Sequence, residues 1–141
     1  MKKLINFNTA PGNYNIALLI LRVWLGLSLF VDHGIEKLNF NKMLLHFPDP
    51  LHIGAVTGLT FAFIADVICS VLIAIGLFTR ISALLVVINL AVAFVFFHKL
   101  NFTDSSGQIA YIYLGAYLAI LLAGPGKYSI DRLLFKNSKY S

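Results

Sequence analysis

The sequence has few charged residues and almost no cysteine. Charged side chains make up 12% of the 141 residues, while hydrophobic residues make up 59%. A soluble domain usually has about a quarter charged residues and about half apolar residues. The mean hydropathy of +0.83 therefore excludes an ordinary soluble domain and indicates an integral membrane protein. The one cysteine, Cys69, excludes an internal disulfide and any Cys-rich zinc or iron–sulfur site.

Motifs for covalent haem attachment, dinucleotide or phosphate binding and serine-based catalysis are also absent. The sequence has no Cys-x-x-Cys-His, no glycine-rich loop of either kind and no Gly-x-Ser-x-Gly elbow. No tight spacing such as His-x-x-x-His occurs, so we expect no bound metal. A redox centre, if present, would have to bind non-covalently or belong to a partner protein.

Four apolar stretches are long enough to span a bilayer, which takes about 20 residues in a helix. They lie at about 15–38, 51–78, 81–97 and 108–123. Gly124-Pro125-Gly126 ends the last stretch, and the pattern that begins at Ser129 predicts a short interfacial helix. The predicted fold is a single all-α domain over residues 1–141. It is an integral membrane four-helix transmembrane bundle with a short C-terminal interfacial helix.

Basic residues are distributed unequally between the two sides that four spans define. The side with both termini would carry Lys2, Lys3, Arg80, Lys127, Arg132, Lys136 and Lys139, and the other Lys37, Lys42 and Lys99. The positive-inside rule then predicts cytoplasmic termini. We therefore assign the net charge of +5 to topology and anionic lipid, and expect no nucleic acid partner. Polar residues follow Lys3, so we expect no cleavable signal peptide.

Ionisable residues inside the predicted spans are functional candidates, because a charge at membrane depth is costly and normally faces protein or water. Arg22 lies in the first span and Asp66 near the middle of the second. At 1.5 Å per residue their backbones differ in depth by roughly 8 Å, which predicts a buried Arg22–Asp66 pair. Such a pair is either structural, fixing the register of two helices, or functional. Asn89 either joins this network or acts as interhelical glue.

A second polar cluster lies at the outer ends of the spans. His33 and His98 have similar depth there, and His46, His52, Asp32, Glu36 and Lys37 lie on the same side. Histidines beside carboxylates can relay protons or hydrogen-bond a quinone. The alternative is an ordinary solvated helix end, because Asp32/Glu36 and His33/Lys37 are both spaced i,i+4. Tyr113 and Tyr117 share a face of the fourth span and either stack on a ring ligand or pack in the core.

Four groups of short motifs follow one another along the chain. They are Leu21-Arg22 with Gly26 and His33-Gly34-Ile35-Glu36-Lys37-Leu38; Asp66 with Gly76-Leu77-Phe78-Thr79-Arg80; Ala91-Val92-Ala93 with His98; and Gly124-Pro125-Gly126-Lys127-Tyr128-Ser129-Ile130-Asp131. In this order, and with matching hydropathy, they resemble the signatures of the DoxX family from about Ile16 to Leu134. The family typically has glutamate where this chain has Asp66.

The resemblance implies a multi-pass protein of the bacterial inner membrane. Some DoxX relatives are membrane subunits of thiosulfate:quinone oxidoreductase, and others are linked to oxidative or thiol stress and to quinone or catechol detoxification. The positions that the resemblance marks as important are Arg22, His33, Lys37, Asp66, Arg80 and His98.

The leading hypothesis is a membrane subunit of a quinone-linked redox system. Its catalytic residues would be His33 and His98, and its quinone-binding residues Arg22, His33, Lys37, Asp66 and His98. One alternative is a non-catalytic accessory subunit that docks to a larger membrane complex. Another is a small transporter or proton pathway that uses Arg22 and Asp66.

Overall fold

The structure, a computed structural model, describes residues 11–136, with side chains from Tyr14 onward. Lys2, Lys3 and Lys139, on which part of the topology prediction depends, lie outside these residues. Within residues 11–136 the chain forms helices and no strand. Six helices occur there, three of them with a π-helical turn: α1 (Pro11–Leu29, π turn Phe30–Gly34, Ile35–Lys37), α2 (Phe40–Leu44), α3 (Ala55–Phe63, π turn Ile64–Cys69, Ser70–Ile75), α4 (Thr79–Val92, π turn Ala93–Phe97), α5 (Ser105–Ala123) and α6 (Ile130–Phe135).

Four of these helices are long and apolar enough to cross a membrane. They are α1, α3, α4 and α5, with spans of 24, 21, 19 and 19 residues and mean hydropathies from 1.5 to 2.3. Large apolar side chains face outward along them, including Trp24, Ile20 and Leu122, as expected of surfaces that contact lipid. The predicted all-α fold with four membrane-spanning helices is confirmed.

The second span begins later than the sequence predicts. The prediction began it at Leu51, but residues 51–54 form a turn and α3 begins at Ala55. The Asp49 carboxylate accepts hydrogen bonds from the backbone N–H groups of Ile53 (3.1 Å) and Gly54 (2.9 Å). Gly54 has φ of 97°, a conformation that glycine adopts at no steric cost. The Asp49 side chain therefore stabilises the turn that leads into α3.

Helices α1 and α3 approach each other closely because glycines of α1 face α3. A Cβ added to Gly26 would lie 2.6 Å from the Ser70 carbonyl oxygen. A Cβ added to Gly34 would lie 2.8 Å from the Asp66 carbonyl oxygen. Small residues allow such backbone approaches between membrane helices. The contact brings the end of α1, with Lys37, beside the middle of α3.

The core lies where α4 packs along α5 and against the π-helical turn of α3. Tyr117 of α5 is fully buried there, and its hydroxyl donates to the Leu25 carbonyl oxygen of α1 at 2.8 Å. Tyr113 lies 6.3 Å from Tyr117 between ring centroids, and both side chains are buried. These tyrosines therefore pack in the core of the bundle, and neither lines the cavity described below.

The predicted C-terminal helix is confirmed as α6. Its cap is Ser129, whose Oγ accepts a hydrogen bond from the Arg132 N–H at 3.3 Å. The Asp131 carboxylate accepts from the N–H groups of Phe78 (2.6 Å) and Thr79 (2.9 Å). In return, the Asp131 N–H donates to the Gly76 carbonyl oxygen at 2.9 Å. These bonds hold α6 against the connection between α3 and α4.

Candidate functional site

A cavity of about 570 Å³ lies between the four spans, at the end of the bundle where α1 and α4 finish and α3 and α5 begin. Most of its wall is apolar, with contributions from Phe47, Phe61 and Phe97. Six polar side chains with a candidate role also line it: His33, Glu36, Lys37, Asp66, Asn89 and His98. Such a cavity, apolar with a few convergent polar groups, is typical of a small-molecule binding site.

Asp66 is held by two side chains from neighbouring helices. The Lys37 ammonium lies 2.9 Å from Asp66 Oδ2, and the Asn89 amide donates to Asp66 Oδ1 at 3.0 Å. Lys37 also donates to the His33 carbonyl oxygen at 2.9 Å. Asp66 and Lys37 are only 4% and 7% exposed. Because each charge has an opposite charge and a hydrogen bond, both tolerate a location that would exclude a lone ion.

His33 and His98 both line the cavity and are both half-buried. The His33 ring meets the edge of Tyr113 at 6.1 Å between centroids, and the Tyr113 hydroxyl donates to Asp32 Oδ2 at 2.6 Å. His98 Nδ1 lies 3.7 Å from Asp104 Oδ2. Each histidine is therefore positioned by a neighbouring side chain and still presents surface to the cavity.

Three of the four spans contain a π-helical turn close to the cavity. The turn in α1 contains His33, the turn in α3 contains Asp66, and the turn in α4 ends one residue before His98. A π-helical turn interrupts the regular hydrogen bonding of an α-helix and is found often at functional sites. In this bundle His33 and Asp66 lie within such turns, and His98 directly follows one.

Comparison with known proteins assigns the chain to a family. The DoxX family model matches residues 17–99, which is more than half of the chain. The chain belongs to the DoxX family. A Haemophilus influenzae (strain ATCC 51907 / DSM 11121 / KW20 / Rd) protein, described as uncharacterized, is 33% identical to this DoxX protein over 129 residues, or 86% of this chain and 85% of the relative. No solved structure matches.

The motifs of this DoxX protein gather at two opposite ends of the bundle. His33, Lys37, Asp66 and His98 line the cavity. The motifs around Arg22, Gly76 and Asp131 meet at the other end, where α6 is bound. The family match runs from α1 to the end of α4 and therefore includes residues at both ends of the bundle.

The predicted pair between Arg22 and Asp66 is wrong. Arg22 is fully buried at the opposite end of the bundle, where its Nη2 donates to the Tyr128 carbonyl oxygen. Its guanidinium packs directly on Gly76 and leaves no room there for a Cβ. Asp66 precedes Gly76 by ten residues, or about 15 Å along α3, which is too far for the guanidinium to reach. The C-terminal segment, whose return the sequence pattern did not reveal, supplies the partner.

Lys37 does not belong to an ordinary solvated helix end. The i,i+4 spacing of His33 and Lys37 indicated solvent, but the Lys37 ammonium turns inward to Asp66. Asp32 and Glu36 are exposed, and Glu36 lines the cavity. His46 and His52 are exposed and do not line it. Asn89 joins the network of Asp66, which was one of the two alternatives for it.

Sequence reasoning missed the loop that precedes α3 as part of the site. Phe47 and Asp49 line the cavity from this loop, and Met43 lines it from α2. Phe47 contacts Phe97 at 6.2 Å between ring centroids. The apolar run from Met43 to Phe47 was the available signal, although it indicated only contact with the membrane interface. Within residues 11–136, no group of three His, Cys, Asp or Glu side chains is placed to hold a metal.

Proposed function

We propose that this DoxX protein is the membrane subunit of a redox system and binds a quinone-type ring in the cavity. The observation that supports this most directly is the meeting of His33, Lys37, Asp66 and His98 in one mostly apolar cavity. Its volume of about 570 Å³ lies within the range of small-molecule sites, roughly 300–1,000 Å³.

The residues present fit a quinone. A quinone is a flat, largely apolar ring with two carbonyl oxygens, so it needs apolar walls and a few hydrogen-bond donors. Phe61 and Phe97 supply apolar wall. The donors are the His33 and His98 imidazoles, the Lys37 ammonium and the Asn89 amide. When bound, a quinone would accept two electrons and two protons on reduction.

The polar groups have different tasks in this proposal. Asp66 keeps the Lys37 ammonium and the Asn89 amide in place, since it bonds to both. The rings of His33 and His98 make no hydrogen bond to the backbone within residues 11–136, and an imidazole can donate or accept a hydrogen bond and can transfer a proton. They are therefore the residues we assign to hydrogen bonding and proton transfer at the cavity.

Binding of a short-chain ubiquinone and of menadione to the purified full chain in detergent tests the site. We expect His33→Ala and His98→Ala each to weaken binding roughly 3- to 10-fold, since one hydrogen bond contributes about 0.5–1.5 kcal/mol. His52→Ala is the matched control, because His52 is exposed and does not line the cavity. Unchanged binding in both cavity variants would remove the histidines from the site.

An absorption spectrum of the purified protein, followed by solvent extraction and chromatography, tests for a native cofactor. The proposal predicts that the extract contains quinone in amounts comparable with the protein. An extract without quinone, from a protein that also binds none when it is added, would contradict a quinone site.

A proton or solute pathway is a second candidate, because the buried Lys37–Asp66 pair lies on a cavity that reaches the middle of α3. The test is flux into liposomes that contain wild type or the Asp66→Asn variant. This candidate predicts a large loss of flux in the variant, and equal flux would count against it. Because Arg22 lies at the other end of the bundle, it is not part of a continuous polar path with Asp66.

The accessory-subunit alternative makes a different prediction about assembly. It predicts stable co-purification with a larger membrane complex and no cofactor in this chain. Native purification followed by mass spectrometry distinguishes this outcome from a chain that carries its own quinone.

A further inference from the structure

A groove lies at the end of the bundle opposite the cavity, where α6 meets the start of α4. Its volume is about 950 Å³. Three basic side chains line it: Arg80, Arg132 and Lys136. Phe78, Ile81 and Phe135 add apolar surface beside them. The groove therefore has positively charged side chains next to an apolar surface.

The three cations of the groove are available to a ligand. Arg80, Arg132 and Lys136 are all exposed, and the ion pairs among the described residues involve other side chains. Arg80 lies against Gly124, where an added Cβ would be 3.1 Å from its Nε. The fold therefore positions its guanidinium, which has no carboxylate partner within residues 11–136.

One carboxylate, Asp131, also lines the groove, where it is held by hydrogen bonds at the start of α4. Both of its oxygens accept backbone N–H groups at the start of α4, from Phe78 and Thr79. Its charge also acts on the buried Arg22 guanidinium. Three cations against this one carboxylate leave the groove with a net positive charge.

A buried hydroxyl gives a second, independent indication of a ligand. Thr79 lines the groove and is fully buried. Its Oγ1 has no hydrogen-bond partner among the described residues. Buried polar groups are nearly always paired, and a hydroxyl can donate to an anionic oxygen.

The position of the groove relative to the membrane indicates which kind of anion would reach it. Thr79 is the first residue of a membrane span, so the groove lies at headgroup depth. Ile81 is exposed beside it on α4, and Leu133 and Leu134 are exposed on α6, which gives acyl chains apolar surface to follow. Clusters of basic residues at this depth attract anionic lipids. We propose that the groove binds the phosphate of an anionic phospholipid, such as phosphatidylglycerol.

Native mass spectrometry of the full chain, with phosphatidylglycerol or phosphatidylcholine of the same acyl chains, tests this proposal. We expect wild type to retain phosphatidylglycerol in preference. The Arg80→Gln/Arg132→Gln variant should retain at least about fivefold less of it, because each basic residue near the surface contributes about a fivefold factor. Lys42→Gln/Lys99→Gln is the matched control, since it removes two exposed cations at the other end of the bundle.

The outcomes distinguish a lipid site from a general effect of charge and from a site for a free anion. Equal losses in the groove variant and the control would mean that only the overall charge matters, and equal retention of the two lipids would exclude headgroup recognition. Displacement of the lipid by millimolar inorganic phosphate would indicate a site for a free anion and overturn the assignment to lipid.

A variant that keeps every charge tests the buried hydroxyl. We expect Thr79→Val to lower retention of phosphatidylglycerol roughly two- to fivefold, because one hydrogen bond is lost, with an unchanged melting temperature. Unchanged retention of phosphatidylglycerol in both Thr79→Val and Arg80→Gln/Arg132→Gln would overturn the proposal. The proposal does not depend on quinone binding at the cavity.

Discussion

At the scale of single residues, the arrangement of the cavity depends on Asp66. Two neighbouring helices supply its partners, because Lys37 comes from α1 and Asn89 from α4. A buried pair contributes little net stability compared with a well-packed apolar pair, but loss of one partner leaves an uncompensated buried charge. Removal of Lys37 or Asp66 alone should therefore destabilise the protein more than removal of both.

We expect Lys37→Met to lower the free energy of unfolding by about 3–5 kcal/mol, because it leaves the Asp66 carboxylate buried without its cation. Unfolding by a denaturing detergent, followed by circular dichroism, measures this change. Lys42→Met is the control, since Lys42 is exposed, and its effect should stay within about 0.5 kcal/mol.

The double variant Lys37→Met/Asp66→Leu distinguishes a charge effect from lost packing. It should recover most of the stability, because neither charge remains buried. If it is as unstable as Lys37→Met alone, the loss comes from packing around the lysine stem and not from the unpaired carboxylate.

At the scale of secondary-structure elements, the start of α4 depends on a residue far along the chain. No side chain of its own caps α4, and Asp131 from α6 accepts the N–H groups of Phe78 and Thr79. Phe78 has a positive φ of 48°, which is unusual for a bulky residue. The bonds from Asp131 help to hold this conformation.

Asp131→Ala should lower the free energy of unfolding by about 1 kcal/mol, because two N–H groups at the start of α4 lose their acceptor. Thermal unfolding in detergent micelles measures the effect. Glu36→Ala is the control, since Glu36 is exposed and takes part in none of the ion pairs or side-chain hydrogen bonds of the described residues. Equal shifts in melting temperature for the two variants would contradict the role given to Asp131.

At the scale of the whole molecule, the separation of α1 and α3 determines whether Lys37 reaches Asp66. Gly26 and Gly34 allow the two backbones to approach. In the same bundle, Gly115 of α5 has no neighbour within 4 Å of the position of an added Cβ. Gly26 and Gly34 therefore lie at a close helix contact, and Gly115, which faces open space, serves as their comparison.

We expect Gly26→Ala to destabilise the bundle by about 1–3 kcal/mol, because the added methyl group would overlap the Ser70 carbonyl oxygen. Gly115→Ala should be neutral or stabilise by up to about 1 kcal/mol, because alanine favours a helix. Unfolding of both variants in one detergent provides the comparison. A Gly26→Ala variant as stable as Gly115→Ala would show that the two helices tolerate a wider separation.

The orientation of the bundle is also a property of the whole molecule. The excess of basic residues predicts that the end bearing Lys127 faces the cytoplasm. Thr103→Cys should then react with a membrane-impermeant thiol reagent added to intact cells, and Lys127→Cys only after permeabilisation. Thr103 is exposed and the native Cys69 is buried. The reverse labelling pattern would contradict cytoplasmic termini.

The amino-acid sequence by itself determined the class of protein, the four membrane-spanning helices and the capped helix that follows them. These features depend on local composition, hydropathy and helix signals, which can be read along the chain. The sequence also indicated which polar residues lie inside the bundle, since ionisable groups in apolar spans are few.

Only the tertiary structure decided which charges pair and which residues share a cavity. Lys37 and Asp66 are 29 positions apart, and the Arg22–Tyr128 bond joins residues 106 positions apart. Such contacts depend on which helices are neighbours, on π-helical turns that change the direction of side chains, and on the return of the C-terminal segment. The prediction compared depths along regular, isolated helices, so it placed Arg22 with Asp66 when Lys37 is the partner.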